Sequence, residues 1–288
     1  MTVTIPAYAK INLFLDICSI RNDGYHNILS IMQAVSLHDR ISVELLPKEK
    51  KQIEVFCDHS SIPSDKSNLA YKAADRFPIE SGHIRIKIEK SIPFSAGLGG
   101  GSADAAATLM ALNQLTGNKL SVTELCSIGA KIGADVPFCI KGGACRVEGI
   151  GDILTPCQTM PSFPIVIAKK GDGMSTPEAY GALDAKYDRF ASYTPHYEQF
   201  NVLNSPDDRQ SIEHYCMGLY NIFESTVEPA RPTVTILKKA LKAAGATAAM
   251  MSGSGTSVFG IFKNENDAQN AVRILKEQGA DAHLCYPV

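Results

Sequence analysis

The chain has 288 residues, of which 45% are hydrophobic and 20% are charged, and its net charge is −2. This composition is typical of a globular protein with one large or two ordinary domains, and the charge gives no reason to expect binding to nucleic acid or to an anionic membrane. No apolar run reaches the length of a membrane span, and the start of the chain lacks the pattern of a signal peptide.

The eight cysteines and seven histidines are dispersed along the chain. No C-x-x-C pair occurs, and the histidines do not have the spacing of metal ligands. Without a secretion signal, a framework of disulfides is not expected. We therefore expect buried, reduced thiols and a cytoplasmic location.

The first half of the chain combines strands and helices. Apolar and alternating stretches predict strands at 2–5, 11–17, 41–45, 52–57 and 83–89, and residues 142–147 are predicted to be a turn that leads into a strand. Residues 28–35 form an apolar stretch. Helices are predicted at 68–77, at 103–115 and from about 121 to 132. This half is therefore predicted to be a mixed α+β domain.

Three prolines, Pro156, Pro161 and Pro164, mark a predicted boundary between domains of residues 1–155 and 156–288. Further strands are predicted at 164–168, 246–251, 257–262 and 282–287. Further helices are predicted at 176–184, 211–224, 232–243 and 264–278, and residues 185–210 are predicted to be irregular. The second half is therefore also α+β.

The most informative segment is a glycine-rich stretch, here called the glycine loop. Its residues are Pro93, Phe94, Ser95, Ala96, Gly97, Leu98, Gly99, Gly100, Gly101, Ser102 and Ala103. It follows a predicted strand and precedes a predicted helix. Glycines allow the backbone to approach a ligand closely, and a helix start adds unpaired N–H groups and a positive dipole end. The loop is therefore interpreted as a phosphate cradle, with a tight turn between strand and helix as the alternative.

Three common nucleotide motifs do not fit the glycine loop. A P-loop needs a Gly-Lys pair, and the chain has none. The dinucleotide fingerprint would place its last glycine at Ser102 or at Asp104. The H-R-D and D-F-G motifs of protein kinases are also absent.

The glycine loop instead resembles the ATP loop of the superfamily named for galactokinase, homoserine kinase, mevalonate kinase and phosphomevalonate kinase, whose pattern is P-x-x-x-G-L-G-S-S-x-A. The residues that match this pattern are Pro93, Gly97, Leu98, Gly99 and Ala103. Gly100 and Gly101 replace the two serines, which resembles one branch of the superfamily.

This resemblance implies a two-domain α+β kinase fold. An N-terminal nucleotide domain, a C-terminal ferredoxin-like substrate domain and a cleft between them are expected. It leaves open whether the last strand returns to the first domain. ATP with Mg²⁺ is the expected cofactor, and the sequence identifies no protein ligand of the metal.

Asp135 is the candidate general base. It lies in the string Gly-Ala-Asp-Val-Pro-Phe at 133–138, where Pro137 favours an extended conformation at Val136. Alone, such an aspartate is more often a helix-terminating residue that bonds its own backbone. The string resembles the superfamily's catalytic aspartate motif, which implies that Asp135 accepts the proton of the acceptor hydroxyl.

Lys10 is the candidate partner of Asp135. A lysine at the start of a strand is normally a solvated side chain. The string Ala-Lys-Ile-Asn-Leu-Phe-Leu at 9–15 resembles the opening motif of the superfamily, however. The resemblance implies that Lys10 keeps Asp135 ionised and polarises the acceptor hydroxyl, and that Asn12, on the same face of the strand, points at the substrate.

Two segments imply a cytidine-containing acceptor. The string Arg-Asn-Asp-Gly-Tyr-His at 21–26 is a hairpin turn signal, and it also resembles the branch's cytidine-binding segment, which implies that Tyr25 and His26 bind the base. The string Ser-Thr-Pro-Glu-Ala-Tyr at 175–180 resembles a second family segment and adds Thr176 and Tyr180. A capped helix with a core tyrosine is the alternative interpretation of this second segment.

Three more segments resemble family motifs. Lys90 and Asn68 match positions that contact adenosine, although a lysine at a strand end is usually solvated. The string Met-Ser-Gly-Ser-Gly-Thr at 251–256 resembles the third superfamily motif, which supports the phosphate loop, and a plain turn is the alternative. Asn-Ile-Phe-Glu at 221–224 stands where relatives have N-D-L-E, and no site is assigned to it.

Taken together, these resemblances imply an ATP-dependent kinase that phosphorylates the 2-hydroxyl of a cytidine-diphosphate-linked methylerythritol in the non-mevalonate route to isoprenoids. The expected partner is this small molecule, with no nucleic acid, no membrane and no obligate protein partner evident. Two alternatives remain. One is another small-molecule alcohol kinase of the superfamily, and the other is a non-catalytic nucleotide-binding module.

Overall fold

The computed structural model describes residues 1–190, 193–204 and 211–288. The chain divides into two compact units, each assembled from several segments. The first unit comprises Met1–Ala9, His38–Ile92 and Gly99–Gly142, and the second comprises Lys10–Leu37, Pro93–Leu98 and Gly143–Val288. The boundary predicted between residues 155 and 156 stays a prediction.

The described residues form strands and helices throughout. The strands are β1 (Thr2–Ile20), β2 (His26–Leu46), β3 (Gln52–Cys57), β4 (His83–Glu89), β5 (Ala144–Glu148), β6 (Ile153–Cys157), β7 (Ile165–Lys169), β8 (Tyr220–Asn221), β9 (Ala248–Met251), β10 (Val258–Ile261) and β11 (Asp281–Cys285). The helices are α1 (Leu69–Arg76), α2 (Gly100–Leu115), α3 (Val122–Ala130), α4 (Val136–Lys141), α5 (Thr176–Lys186), α6 (Tyr197–Asn204), α7 (Ile212–Met217), α8 (Glu224–Ala230), α9 (Pro232–Ala243) and α10 (Glu265–Glu277). No helix of the described ranges is long and apolar enough to cross a membrane.

The buried core of the first unit draws residues from three neighbouring strands and from the helix that follows the glycine loop. Strand β4 pairs in parallel with β3 and antiparallel with the second part of β2. The alternation expected for β4 is confirmed, because Ile84, Ile86 and Ile88 are fully buried while Arg85 and Lys87 are exposed. Helix α2 packs against α1 and α4, and its alanines and leucines are buried on most sides.

The second unit contains the predicted ferredoxin-like arrangement. Its four-stranded sheet has the order β11-β7-β10-β9, and every neighbouring pair is antiparallel. Helices α9 and α10 contact this sheet. In the same unit β1 pairs with β8, β2 pairs with β5, and β5 pairs with β6. The predicted α+β fold is therefore confirmed.

Several predicted elements are wrong in detail. The strands predicted at 2–5 and 11–17 are one long strand, β1, and the strand predicted at 41–45 is part of a second long strand, β2, which also contains the apolar stretch 28–35. Strand β6 was missed because it contains Pro156. The helix predicted at 211–224 is interrupted by β8. Val136 is not extended but begins helix α4, where Pro137 stands in the first turn, a position that proline tolerates.

The stretch predicted as irregular, 185–210, includes regular structure among its described residues. It contains helix α6, and residues 191–192 and 205–210 lie outside the described residues. The buried carboxylate of Asp16 on β1 accepts hydrogen bonds from the Tyr193 hydroxyl at 2.6 Å and from the His196 amide at 2.8 Å. These bonds, made by residues distant in sequence, fix the segment before α6.

Gln33 links three distant parts of the second unit. Its fully buried amide donates to the carbonyls of Ala34 at 2.8 Å, Gly143 at 3.3 Å and Val288 at 3.1 Å. Its carbonyl oxygen accepts from the Met160 amide at 3.0 Å. Because buried polar groups are costly to leave unpaired, this side chain stabilises the fold.

We predict that Gln33→Leu lowers the free energy of unfolding by at least about 1–3 kcal/mol, because Met160 and the carbonyls lose their partner. Chemical denaturation measures this change. The matched control is Gln269→Leu on the exposed face of α10, where a change within about 0.5 kcal/mol is expected. Equal losses in the two variants would contradict the role of Gln33.

Candidate functional site

The glycine loop makes a close backbone contact in the second unit. Gly97 has φ +73°, and a Cβ atom there would lie 2.1 Å from the Ser252 carbonyl oxygen. The Ser252 hydroxyl donates to the Gly97 carbonyl at 3.1 Å, and the Ser257 amide donates to the Ala96 carbonyl at 3.1 Å. Only glycine fits position 97 without a shift, because its neighbour is rigid backbone.

In the first unit the loop continues into the start of helix α2. Gly99 precedes the helix with left-handed backbone angles, φ 71° and ψ 17°, and no side chain caps the helix. Five other helices have capping side chains, which are Asn68, Ser121, Ser175, Ser211 and Asn264. The first N–H groups of an α-helix have no helical acceptor, so this start offers donors and a positive dipole end to an anion.

Lys90 lies beneath this helix start and is paired with two carboxylates. Its ammonium contacts Asp39 and lies 3.0 Å from Asp104, and all three side chains are buried. Burial opposes the charge of Lys90, but Asp104 and Asp39 together raise its pKa. A Cβ on Gly100 would lie 3.4 Å from the Lys90 Nζ. Lys90 therefore supports α2 from below, and its predicted contact with adenosine stays a prediction.

Asp104 is the less satisfied of the two carboxylates. Asp39 accepts from the amides of Ser91 at 2.6 Å and Ile92 at 2.8 Å. The second oxygen of Asp104 has no hydrogen-bond partner among the described residues. Burial, together with the nearby Asp39 and against the effect of Lys90, raises the pKa of Asp104 to about 7.

Asn68, the other predicted adenosine residue, uses both ends of its amide within the fold. Its oxygen accepts from the Ala70 amide at 2.8 Å and caps helix α1, and its nitrogen donates to the Pro63 carbonyl at 2.7 Å. The side chain is therefore held in one orientation, and a contact with adenosine stays a prediction.

Asp135 stands at the N-terminal end of helix α4 in the first unit. Its carboxylate makes no capping hydrogen bond to that helix, and its role as the general base stays a prediction. The turn before it lies close to the start of α2, since a Cβ on Gly133 would be 3.7 Å from the Ser102 hydroxyl. The carboxylate that the sequence singles out is therefore close in the fold to the helix start described above.

Lys10 and Asn12 lie side by side in the second unit. Lys10 is 4% exposed, which excludes the solvated side chain that its position in the sequence alone would suggest. Its Nζ donates to the Asn12 Oδ1 at 2.7 Å, and the Asn12 Nδ2 donates to the Ser30 hydroxyl at 2.9 Å. Since Asp135 belongs to the other unit, the pairing of Lys10 with Asp135 stays a prediction.

The third motif, 251–256, forms a turn next to Lys10 and the glycine loop. A Cβ on Gly253 would lie 2.8 Å from the Gly97 carbonyl oxygen and 3.3 Å from the Lys10 Nζ. The Asn12 amide donates to the Ser252 hydroxyl at 3.3 Å. This turn is therefore packed directly on the glycine loop within the second unit.

Asn221 is a site-supporting residue that the sequence analysis did not assign. Its buried amide donates to the carbonyls of Met251 at 2.7 Å and Gly253 at 2.9 Å. Glu224 accepts from the Met251 amide at 2.7 Å and pairs with Lys238 at 2.8 Å. The string 221–224 was the available signal, but its partners lie 27 to 32 residues away.

Four of the predicted acceptor residues, Tyr25, His26, Thr176 and Tyr180, lie in the second unit. The His26 ring lies 4.7 Å from that of Tyr180, measured between centroids, and its Nε2 is 2.7 Å from the carboxylate of Asp184. The Thr176 hydroxyl is 3.2 Å from that of Ser254. Tyr25 is 61% exposed, so its ring face is available to a ligand.

Two protein-family models match segments of the chain. Residues 68–143 match the family model of the GHMP kinases N terminal domain, and residues 208–281 match that of the GHMP kinases C terminal domain. The first match covers all of β4, the glycine loop from Pro93 to Ala103, and Asp135.

Curated relatives that the chain matches over nearly its whole length include enzymes of one name. The chain is 40% identical over 280 residues to 4-diphosphocytidyl-2-C-methyl-D-erythritol kinase of Exiguobacterium sibiricum, covering 96% of this chain and 94% of the relative. It is 41% identical over 276 residues to the enzyme of that name from Caldicellulosiruptor saccharolyticus, with coverages of 94% and 92%. A crystal structure of 4-(cytidine 5'-diphospho)-2C-methyl-D-erythritol kinase superposes with a TM-score of 0.79 at 29% identity, covering 99% of each chain.

We predict that Asp104 makes the stability of the protein depend on pH. The pKa of Asp104 is about 7 in the folded chain, against an ordinary value of 3.8. Between these two pH values the carboxyl therefore binds more protons in the folded chain than in the unfolded chain. The free energy of unfolding therefore falls as the pH rises through this window, by on the order of a few kcal/mol for this group.

The variant Asp104→Asn cannot titrate, so its unfolding free energy should change less over that window. Urea denaturation between about pH 4 and pH 8 measures the difference. The control is Asp75→Asn, an exposed aspartate on α1, which should follow the unaltered protein. If the profile of Asp104→Asn is also parallel to that of the unaltered protein, Asp104 does not titrate as stated.

Proposed function

The chain belongs to the 4-diphosphocytidyl-2-C-methyl-D-erythritol kinases within the GHMP kinases, and we propose that it transfers the γ-phosphoryl group of ATP to the 2-hydroxyl of 4-diphosphocytidyl-2-C-methyl-D-erythritol. The reaction belongs to the non-mevalonate route to isoprenoid precursors. Similarity to enzymes of this name over nearly the whole chain carries the proposal. The segment Tyr25–His26 supports the acceptor.

In this proposal the phosphates of ATP bind at the glycine loop, residues 93–103. The uncapped N–H groups at the start of α2 suit phosphate oxygens, and glycines at 99, 100 and 101 let the backbone approach them. The described residues contain no group of three or more His, Cys, Asp or Glu that could hold a metal ion. Mg²⁺ would enter with ATP, held mainly by its phosphates, and would neutralise their charge.

The transfer itself needs an acceptor oxygen, a base and positive charge. The 2-hydroxyl oxygen forms a bond to the γ-phosphorus as the bond from that phosphorus to the β–γ bridging oxygen breaks, and ADP leaves. Asp135, whose carboxylate makes no capping hydrogen bond to α4, takes the hydroxyl proton. Lys10 supplies positive charge that favours the ionised form of Asp135.

The base of the acceptor binds at the residues of the second unit. The exposed ring of Tyr25 stacks on the cytosine, and the base edge meets His26. Tyr180 and Thr176, one helical turn apart on α5, complete this subsite, and Asn12 binds the polyol. The partner proposed is thus a small molecule, with no nucleic acid, membrane or obligate protein partner, in the reducing cytoplasm where the eight free cysteines stay thiols.

The experiment that tests the activity compares acceptors. ATP consumption is measured with 4-diphosphocytidyl-2-C-methyl-D-erythritol, with homoserine and with mevalonate under identical conditions. Turnover of the cytidylyl compound alone is expected. Preferential turnover of either of the other alcohols would contradict the proposed acceptor while leaving the kinase assignment intact.

We predict that Asp135→Asn lowers kcat by about two to four orders of magnitude, because the amide keeps the shape but cannot accept the proton. The KM for ATP should change little, since the glycine loop is untouched. Steady-state kinetics with each substrate varied separately measures both constants.

Asp75→Asn serves as the matched control, because it removes an exposed carboxylate from the same unit. It should keep normal kinetics. Near-normal turnover of Asp135→Asn would remove Asp135 from the role of base.

A further inference from the structure

We propose that Asp184 is a positioning residue for recognition of the acceptor's base. Its carboxylate holds the His26 ring with Nε2 protonated, so that Nδ1 is presented to the base as a hydrogen-bond acceptor. The inference deepens the proposed function and rests on it, because it assigns a determinant of base specificity to the same acceptor site. It is carried by four residues of the second unit, His26, Tyr180, Asp184 and Phe190, here called the His26 cluster.

The hydrogen bond between the two residues fixes which ring nitrogen carries the proton. The His26 Nε2 lies 2.7 Å from the Asp184 Oδ1, and the side chains are 9% and 28% exposed. An ionised carboxylate only accepts, so Nε2 must donate. In the neutral ring Nδ1 is then an acceptor. It makes no hydrogen bond to any residue of the ranges 1–190, 193–204 and 211–288.

Aromatic packing holds the ring in this orientation. Its centroid lies 4.7 Å from that of Tyr180 at an interplanar angle of 41°, and 5.9 Å from that of Phe190 at 77°. Tyr180 in turn packs edge-on against Phe223 at 4.9 Å. Rotation of the ring by half a turn would break the bond to Asp184, so packing and hydrogen bond together select one arrangement.

Helix α5 presents the residues concerned on one face. Thr176, Tyr180 and Asp184 are spaced by four, which places their side chains in one row along the helix. The first two are proposed to bind the acceptor. Asp184 extends the same row by one turn. It contacts His26, which is proposed to bind the base, and does not contact the ligand itself.

The chemistry of this arrangement discriminates between bases. Cytosine carries an amino group at position 4, which can donate to Nδ1, whereas uracil carries a carbonyl there and places one acceptor against another. A buried acceptor left without a donor is costly, which is how a site rejects a close analogue. The fixed ring is therefore expected to favour a cytidylyl over a uridylyl acceptor by about 10-fold or more.

The kinetic test compares Asp184→Asn with the unaltered protein. The amide can donate as well as accept, so it no longer fixes which ring nitrogen is protonated. The values of kcat/KM are measured for 4-diphosphocytidyl-2-C-methyl-D-erythritol and for its uridine analogue. The ratio of the two values should fall by about 10-fold, with the KM for ATP unchanged. Asp184→Glu, which keeps a carboxylate, should retain most of the ratio.

The control variant is Glu178→Gln, which removes an exposed carboxylate from the same helix. It should keep the ratio of the unaltered protein. If Asp184→Asn slows both acceptors in proportion and leaves the ratio intact, Asp184 has a structural role alone and the inference is overturned. Thermal melting of each variant accompanies the kinetics.

Two measurements decide the role of Asp184 without catalysis. Calorimetry with cytidine 5'-diphosphate and uridine 5'-diphosphate gives the base preference in the unaltered protein and in Asp184→Asn. Long-range ¹H–¹⁵N spectra, with the His26 signals identified from His26→Gln, give the protonated nitrogen directly. Protonation at Nε2 alone is expected, and protonation at Nδ1 in the unaltered protein would overturn the inference. If the protein does not phosphorylate the cytidylyl acceptor, the proposed function fails, whereas these two readouts still test Asp184.

Discussion

The close approach of two backbone turns is the constraint on which the site residues of the second unit depend. Gly97 and Gly253 face each other, and a Cβ at either position would lie within 2.8 Å of a backbone oxygen of the opposite turn. Both residues also have positive φ, so two separate requirements favour glycine. Lys10 sits at the same contact, with its Nζ 3.3 Å from where a Cβ of Gly253 would be. A larger residue in either turn would therefore displace the other turn and disturb the surroundings of the lysine.

The fold was predictable from sequence where its causes are local. The alternation in β4, the alanine-rich helix α2 and the capping serine before α3 are visible in short windows of sequence. The continuity of β2 was not, because a carboxylate at position 39 indicates the end of a strand. Asp39 is tolerated there since it is paired with Lys90, which lies 51 residues later.

The same division between local and distant causes applies to the candidate site. The glycine loop and the turn of Asp135 are recognisable from consecutive residues. Asp104 and Asp184 carry no such signal, because each is defined by its partners. Asp184 is separated from His26 by 158 residues, and only the fold brings the two together. Spacing by four from Thr176 and Tyr180 was the one available indication, and a polar residue at that spacing is equally typical of a solvated helix face.

The contrast between Tyr25 and His26 suggests separate roles for the two residues in the proposed acceptor site. Tyr25 is 61% exposed, whereas the His26 side chain is packed and hydrogen-bonded at 9% exposure. A group that is fixed before binding loses little conformational entropy when the ligand arrives. Neighbouring residues in one hairpin can therefore serve separate purposes. In the proposed site the exposed ring would contribute affinity for any base, because every base has a face to stack on, and the fixed ring would contribute the choice among bases.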